Sequence, residues 1–120
     1  ILSDTFSQFA SPMMAKLGHP TLFCHSLVID DSGRIEDWEI RYEDHKRKTV
    51  ESLMGMNYHV IAAGDSYNDT TMLSSASSGI LFRPPDNVVD EFPQFPVARS
   101  YAELKDAIES AASDLGEHWK

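Results

Sequence analysis

The segment that decides the fold is residues 58–69, which reads YHVIAAGDSYND. Its first half is a short apolar run without alternation, and such runs are typical of central strands of parallel sheets, which are buried on both faces. The run ends at Gly64, where glycine permits a sharp turn of the chain. Asp65 and Asp69 follow, with Asn68 between them. Side chains directly after such a strand lie at the carboxyl edge of the sheet, where α/β proteins bind ligands.

The oxygen donors in this loop are of the kind that a hard cation prefers. Mg²⁺ is bound in proteins through one or two carboxylates, together with water and substrate phosphate oxygens. We therefore predict a magnesium site with Asp65 and Asp69 as metal-binding residues. The alternative is an ordinary strand-to-helix turn capped by Asp69, because Gly, Asp and Asn are common in turns. Composition alone leaves both interpretations open.

Helices and strands alternate along the remainder of the chain. The turn at residues 30–33 joins two strands into a predicted β-hairpin. Ser11 and Pro12 are expected to begin the first helix and Gly18 to end it, while Ser100 and Glu103 form a capping box for the last. The alternation predicts an α/β fold. Predicted helices span 11–18, 46–54, 69–75, 84–92 and a stretch after 100; predicted strands span 22–29, 35–42, 58–63 and 79–82.

Composition narrows the classes of partner. The chain has 120 residues, 42% of them hydrophobic, which suits one globular domain over 1–120. The net charge of -9 argues against nucleic acid and anionic membranes as partners, and no apolar run is long enough for a membrane span. An anionic ligand would need a local positive charge, which a bound cation supplies. The lone Cys24 excludes an internal disulfide framework and indicates a cytoplasmic location.

Residues 64–73, GDSYNDTTML, resemble the fourth motif of haloacid-dehalogenase-type phosphatases. The form Gly-Asp-x-x-Asn-Asp-x-x-Met is that of the phosphoserine phosphatases. The resemblance implies that Asp65 binds Mg²⁺ directly and that Asp69 is a nearby carboxylate of the metal site. It also implies that Asn68 helps to position the substrate phosphate.

Residues 1–6, ILSDTF, resemble the second motif of the same family, a strand that ends in a phosphate-binding Ser or Thr. Ser3, Asp4 and Thr5 are then the expected phosphate-binding residues. Ser3 taken alone is better explained by a cap or a turn, and its order and spacing with the later motif favour the phosphate-binding role. Many phosphoserine phosphatases have Ser-Gly-Gly-Phe here. The Ser-Asp-Thr-Phe form is similar to a subgroup described as bifunctional phosphoserine phosphatase and homoserine phosphotransferase, and that similarity extends over 1–104, including FPQFP at 92–96.

The family's third motif is a lysine at the start of the helix before the fourth motif. Its ammonium offsets charge on the phosphoryl group during transfer. Lys46 is the predicted catalytic and phosphate-binding lysine, because it precedes the apolar Val50 by one helical turn. Lys48 remains the reserve candidate. Arg47 is interpreted as a solvated surface residue.

The resemblance also implies parts that this sequence lacks. The first motif, Asp-x-Asp or Asp-x-Glu, supplies the nucleophilic aspartate, and a cap region follows it; both would precede Ile1. The chain is thus expected to be the C-terminal part of a HAD-like, Rossmann-type parallel sheet core with a β-hairpin, lacking the nucleophile strand and the cap. The intact enzyme would hydrolyse a phosphoserine-like monoester with Mg²⁺ through an aspartyl-phosphate. The chain alone is expected to be inactive.

Two alternatives stay open. One is homoserine phosphotransferase activity, in which the aspartyl-phosphate passes to an alcohol. The other is a non-catalytic fragment that associates with a partner chain, or with further copies of itself, through exposed strands. The expected partner of the enzyme form is the missing N-terminal segment or another chain that replaces it.

Several other residues are of types that bind metals in other proteins, and we interpret them here as turn, packed or surface residues. The turn at 30–33, DDSG, lacks the ligand spacing of a calcium loop, and Cys24 and the Met13–Met14 pair are interpreted as packed residues. The five histidines show no metal-ligand spacing and are interpreted as surface or strand residues: His19, His25, His45, His59 and His118.

Overall fold

A computed structural model describes residues 1–116 of the chain, so His118 lies outside the described residues. Contacts divide the chain into two compact units, Ile1–His45 and a second that begins at Lys46. A single domain over 1–120 stays a prediction. The elements in chain order are β1 (Leu2–Phe6), α1 (Ser7–Lys16), β2 (Phe23–Ile29), β3 (Ile35–Glu39), α2 (His45–Gly55), β4 (Ile61–Gly64), a 3-10 helix (Tyr67–Asp69), α3 (Thr70–Ser75), β5 (Ser78–Phe82), α4 (Asp86–Glu91), β6 (Val97–Ala98) and α5 (Tyr101–Asp114).

The first unit contains a three-stranded sheet in the order β1-β2-β3. Strand β1 is parallel to β2, and β2 is antiparallel to β3, which confirms the predicted β-hairpin. In the turn, Asp30 Oδ1 accepts hydrogen bonds from the N–H groups of Ser32 at 2.8 Å and Arg34 at 2.9 Å. Gly33 has a φ of 82°, which favours glycine. The Asp30 carboxylate thus stabilises the turn, as the hairpin interpretation requires.

Helix α1 begins earlier than predicted. It starts at Ser7, so Pro12 lies inside the helix rather than at its first position. The reason is a tertiary contact, because the Gln8 side chain pairs with the backbone of Leu27 on β2. Its Oε1 accepts the Leu27 N–H at 2.9 Å, and its Nε2 donates to the Leu27 carbonyl at 3.1 Å. The end at Gly18 was predicted correctly: this residue follows the helix with a φ of 77°.

The apolar side of α1 is exposed within the described residues. Met13 is 63% exposed, whereas the sequence indicated a packed residue. Phe9 and Leu17, one helical turn to either side of Met13, are similarly exposed. The prediction for Met13 is therefore wrong, because periodicity identifies an apolar face without identifying what covers it.

The second unit contains a parallel sheet in the order β4-β5-β6. The central strand β5 carries Ile80 and Leu81, which are 1% and 0% exposed. Parallel pairing aligns Gly64 at the end of β4 with Leu81 on β5. The α/β class with a parallel sheet is therefore confirmed. The other fully or nearly fully buried hydrophobic residues of this unit are Val50, Ala62, Met72, Leu73, Val88 and Ala98.

Strand boundaries differ from the prediction at several places, and β3 ends at Glu39 rather than at Tyr42. Strand β4 begins at Ile61 rather than at Tyr58, because the Tyr58 N–H donates to the Leu53 carbonyl at 3.1 Å and so belongs to the end of α2. Strand β6 was not predicted, since it has only two residues between prolines and a helix. It forms because the Pro96 carbonyl accepts the Leu81 N–H at 2.9 Å, which needs no N–H from the proline.

The cap of α5 differs from the prediction in one bond. Ser100 Oγ accepts the Glu103 N–H at 3.2 Å, as predicted. The Glu103 carboxylate, however, accepts the N–H of Arg99 at 2.5 Å rather than that of Ser100. Within residues 1–116, no helix combines the length and the apolar character that crossing a membrane requires.

We expect Ile80→Ala to lower the free energy of unfolding of the second unit by about 2–5 kcal/mol, because it leaves a cavity beside the central strand. Ile108→Ala on α5 is the matched control, since Ile108 is 39% exposed. Urea denaturation followed by circular dichroism measures both. Equal losses for the two variants would contradict the assignment of β5 as the centre of this core.

Candidate magnesium and phosphate site

The loop after β4 is organised by the carboxylate of Asp69. Asp69 Oδ2 accepts hydrogen bonds from the N–H of Asp65 at 3.0 Å and the N–H of Ser66 at 3.2 Å. The Ser66 hydroxyl donates to the same oxygen at 3.2 Å. The bond to the Ser66 N–H is that of a capping box, in which an acidic side chain in the first turn reaches back to the N-cap residue. Asp69 therefore stabilises the start of a helix, as the alternative interpretation of this loop as an ordinary strand-to-helix turn requires.

Gly64 is required by the position of Asp69. A Cβ atom at residue 64 would lie 2.6 Å from the Cβ, Cγ and Oδ2 atoms of Asp69. The buried Asp69 side chain thus lies directly over the α-carbon of Gly64. Glycine serves this loop by permitting close approach rather than by adopting a left-handed conformation, since Gly64 is not among the positive-φ glycines of residues 1–116.

Lys46, at the start of α2, completes the environment of Asp69. Its Nζ donates to Asp69 Oδ1 at 2.8 Å, and the two side chains are only 15% and 8% exposed. Burial acts to raise the pKa of Asp69. The hydrogen bond and the charge of Lys46, with the N–H groups of Ser66 and Asp65, outweigh burial and hold the pKa of Asp69 below its usual value.

Among the three basic residues at 46–48, Lys46 is the one that the structure places in this loop. Arg47 instead forms an ion pair with Glu51, one turn along α2, at 2.9 Å. Lys48 is exposed. The geometry therefore favours Lys46 over the reserve candidate Lys48, and a catalytic role for it stays a prediction.

The two carboxylates of the loop have different surroundings. The oxygens of Asp69 already accept four hydrogen bonds, one at Oδ1 and three at Oδ2. Asp65 is exposed, and its backbone N–H rather than its carboxylate contacts Asp69. Asn68 is exposed beside it. These residues fit a Mg²⁺ site in which Asp65 is the protein carboxylate and Asp69 orients the loop, because Mg²⁺ commonly binds through one carboxylate, water and phosphate oxygens.

The FPQFP segment packs beside this loop. Tyr67, in the 3-10 helix, makes an edge-to-face contact with Phe92, with ring centroids 5.8 Å apart. Phe92 in turn stacks with Phe95 at 6.2 Å, and the Tyr67 hydroxyl donates to Glu91 at 3.3 Å. The segment therefore supports one side of the 3-10 helix that carries Asn68 and Asp69.

The remaining predicted phosphate-binding residues lie in the first unit, in an irregular part of β1. Leu2 pairs with Phe23 and Phe6 pairs with His25, so three residues on β1 oppose one on β2. Ser3 Oγ accepts the Thr5 N–H at 3.1 Å within this bulge. The strand therefore continues beyond Ser3, whereas the sequence predicted its end there. Bulges aim side chains away from the regular ladder and are frequent beside functional sites.

Two histidines converge on Asp4 in the same unit, which sequence reasoning missed. His45 Nε2 lies 3.0 Å from Asp4 Oδ1, and His25 Nε2 lies 3.7 Å from it. His25 and His45 are 6% and 2% exposed. The interpretation of His45 as a surface or strand residue is therefore wrong. No local spacing could have revealed the cluster, since its members come from β1, β2 and the start of α2.

Comparisons with known proteins agree with the motifs. No family model matches the chain. It is 55% identical over 113 residues to phosphoserine phosphatase ThrH of Pseudomonas aeruginosa, covering 94% of this chain and 55% of that protein. It is 53% identical over 105 residues to a phosphoserine phosphatase of Pseudomonas syringae pv. tomato, covering 88% of this chain and 44% of that protein. The chain is therefore similar in sequence to part of each of these two phosphoserine phosphatases.

A solved structure shares the fold. A substrate-bound phosphoserine phosphatase complex superposes with a TM-score of 0.69 at 22% identity, over 88% of this chain and 53% of that chain. The HAD-like fold is therefore shown. The chain spans about half the length of the curated phosphoserine phosphatases that it matches.

We expect Gly64→Ala to lower the free energy of unfolding by about 1–3 kcal/mol, because the new methyl group overlaps the Asp69 side chain. Gly55→Ala is the matched control, since a Cβ at the end of α2 meets nothing within 4 Å. Thermal unfolding followed by circular dichroism compares them. If both variants melted at the same temperature, Asp69 would not lie over Gly64.

We expect Lys46→Met to raise the pKa of Asp69, because it removes a hydrogen bond and a positive charge while burial remains. The lowered pKa in the folded chain makes Asp69 stabilising above the unfolded value of about 4, and this contribution is lost as pH falls through the folded pKa. The acid limb of the stability curve should therefore move to higher pH in the variant.

Carboxyl-carbon NMR titration of Asp69 measures this pKa directly. Lys48→Met is the matched control and should leave the titration in place. A Lys46→Met variant in which the Asp69 titration is unchanged would show that Lys46 does not set the charge of this loop.

Proposed function

We propose that this chain provides the phosphate- and magnesium-binding half of a phosphomonoester hydrolase of the phosphoserine phosphatase type. The observation that carries the proposal is the Lys46 Nζ–Asp69 Oδ1 contact of 2.8 Å in the loop that begins with Gly64 and Asp65. This contact joins Lys46, the candidate lysine of the third motif, to Asp69 of the fourth motif. Identity above 50% with two phosphoserine phosphatases supports the same function.

The roles of the chain's own residues follow from their chemistry. The Lys46 ammonium donates to Asp69 Oδ1. Its positive charge suits the oxygens of a phosphoryl group. The Asn68 amide would also donate to phosphate oxygens. In the first unit, Ser3, Asp4 and Thr5 are the residues proposed to bind phosphate. Asp69 orients Lys46, because its Oδ1 accepts a hydrogen bond from the Lys46 ammonium at 2.8 Å.

Mg²⁺, held by the Asp65 carboxylate, would supply positive charge to the phosphoryl oxygens in an otherwise acidic chain. The family mechanism then requires an aspartate of the first motif. Its carboxylate oxygen attacks phosphorus as the bond from phosphorus to the ester oxygen breaks, and the second acid of the first motif gives its proton to the leaving oxygen. Water subsequently hydrolyses the aspartyl-phosphate. Phosphoserine is the proposed substrate, and we propose that residues 1–120 act together with a segment that carries the first motif.

The location proposed for this enzyme is the cytoplasm. Cys24, the single cysteine of the chain, is a free thiol that is 6% exposed. A buried free thiol with no disulfide partner in its own chain suits a reducing compartment.

The experiment measures phosphoserine hydrolysis with Mg²⁺ for the chain alone and after addition of an N-terminal segment from the P. aeruginosa relative that contains the first motif. We expect activity only with the segment, and a loss of at least about 100-fold in Asp65→Asn, because the cation loses its carboxylate. Asp106→Asn, on the exposed side of α5, is the matched control and should keep full activity.

The same assay distinguishes the alternatives. Transfer of phosphate to added homoserine in preference to water would establish the phosphotransferase. A segment that binds without producing either activity would contradict the enzyme proposal and favour a fragment that associates with other chains. Size-exclusion chromatography of the chain alone at several concentrations measures its self-association.

A further inference from the structure

The first unit contains a second group of metal-ligating side chains, distinct from the loop at 64–69. Asp4, His25 and His45 each offer one ligand atom, and these atoms all lie within 4.8 Å of one another. Two neutral imidazoles and one carboxylate are the donor set of many catalytic zinc sites. In contrast, the acid and amide oxygens at 65–69 suit Mg²⁺. The two groups therefore select different cations.

The spacing of the ligand atoms matches a tetrahedral site. Zn²⁺ binds imidazole nitrogens and carboxylate oxygens at about 2.0–2.1 Å, which places neighbouring ligand atoms of a tetrahedron about 3.3 Å apart. The distances from Asp4 Oδ1 are 3.0 Å to His45 Nε2 and 3.7 Å to His25 Nε2. These two values lie on either side of the ideal edge, and the ligand atoms of the two histidines lie within 4.8 Å of each other.

Burial and access also suit a cation. The side chains of the two histidines are 6% and 3% exposed, while that of Asp4 is 56% exposed. The rings of His25 and His45 pack with centroids 4.4 Å apart, which limits their freedom before any ligand binds. A cavity of about 450 Å³ adjoins His25 and is lined by Cys24, His25, Ser26, Glu39, Ile40 and Arg41. The half-exposed carboxylate therefore forms the open side of the group.

We propose that Asp4, His25 and His45 bind a divalent transition-metal cation of the Zn²⁺ class, with the fourth position taken by water. Borderline cations prefer imidazole nitrogen, whereas Mg²⁺ prefers oxygen ligands and retains its water. The site therefore binds Zn²⁺ or Co²⁺ in preference to Mg²⁺. The proposal does not depend on the phosphatase function, although it assigns Asp4 a metal-binding role beside the predicted phosphate-binding Ser3.

A hydrogen bond to His25 Nδ1, the ring nitrogen that would not bind the cation, determines how the proton of the ring must move when a cation binds at Nε2. The Arg41 N–H donates to His25 Nδ1 at 3.0 Å, so the neutral ring carries its proton on Nε2. Binding a cation at Nε2 moves that proton to Nδ1, where it would face the Arg41 N–H. The Arg41 amide must then turn away. Its NMR signal therefore reports directly on cation binding at His25.

The experiment uses the full chain and measures binding of Zn²⁺ and Co²⁺, with Mg²⁺ as the comparison. We expect one strong site, the intense visible absorption of four-coordinate Co²⁺, and a shift of the Arg41 amide signal. Affinity for Zn²⁺ should exceed that for Mg²⁺ by at least about 100-fold. His25→Gln, His45→Gln and Asp4→Asn should each weaken Zn²⁺ binding by at least about tenfold.

His59→Gln is the matched control, because His59 is exposed and lies outside the cluster. It should leave the binding of Zn²⁺ unchanged. If the variants of the buried histidines fail to fold, Asp4→Asn at the half-exposed position decides the question. Weak six-coordinate Co²⁺ absorption, an unmoved Arg41 signal, or equal affinity in Asp4→Asn and the unaltered chain would overturn the proposal.

Discussion

The second unit depends on how the charge of Asp69 is accommodated. A carboxylate that is 8% exposed cannot stay charged unless other groups replace the hydrogen bonds of water. Here Lys46, the N–H groups of Asp65 and Ser66, and the Ser66 hydroxyl replace them. Because removing any one donor leaves a buried charge less well satisfied, the start of α2, the end of β4 and the 3-10 helix are held in one arrangement. The requirement for glycine at residue 64 follows from the same side chain.

This arrangement also separates the two acids by function. Asp69 is used internally, so its charge is largely neutralised by Lys46 and does not add to the negative field at the sheet edge. Asp65 is left exposed, and it is the carboxylate that we propose as the cation ligand. A chain with a net charge of -9 can bind an anionic phosphate only if positive charge is concentrated locally. Lys46 and the proposed cation at Asp65 would concentrate that charge at one loop, so a capping residue and a proposed metal ligand share six residues.

The first unit is organised differently, because a polar group rather than an aliphatic core occupies its interior. In the part of this unit that the structure describes, Cys24 is the one buried hydrophobic residue, and His25 and His45 are the buried polar residues. The bulge between Leu2 and Phe6 directs Asp4 toward both rings. Buried imidazoles are tolerated where they find a hydrogen-bond or metal partner, so the cluster is a structural requirement of this unit as well as a candidate site.

The sequence by itself determined the features that depend on residues close together in the chain. Short-range preferences specify three elements: a parallel strand from the unalternating run before Gly64, a hairpin from the turn residues at 30–33, and a helix start from Ser100. The sequence motifs indicated the resemblance to the phosphatase family. Only the tertiary structure decided matters that involve distant residues. The start of α1 depends on Gln8 pairing with Leu27, β6 on a carbonyl facing Leu81, and the choice of Lys46 over Lys48 on contact with Asp69. The convergence of His25 and His45 on Asp4 was likewise invisible, because spatial proximity of residues 21 and 41 positions apart leaves no periodic pattern in a sequence.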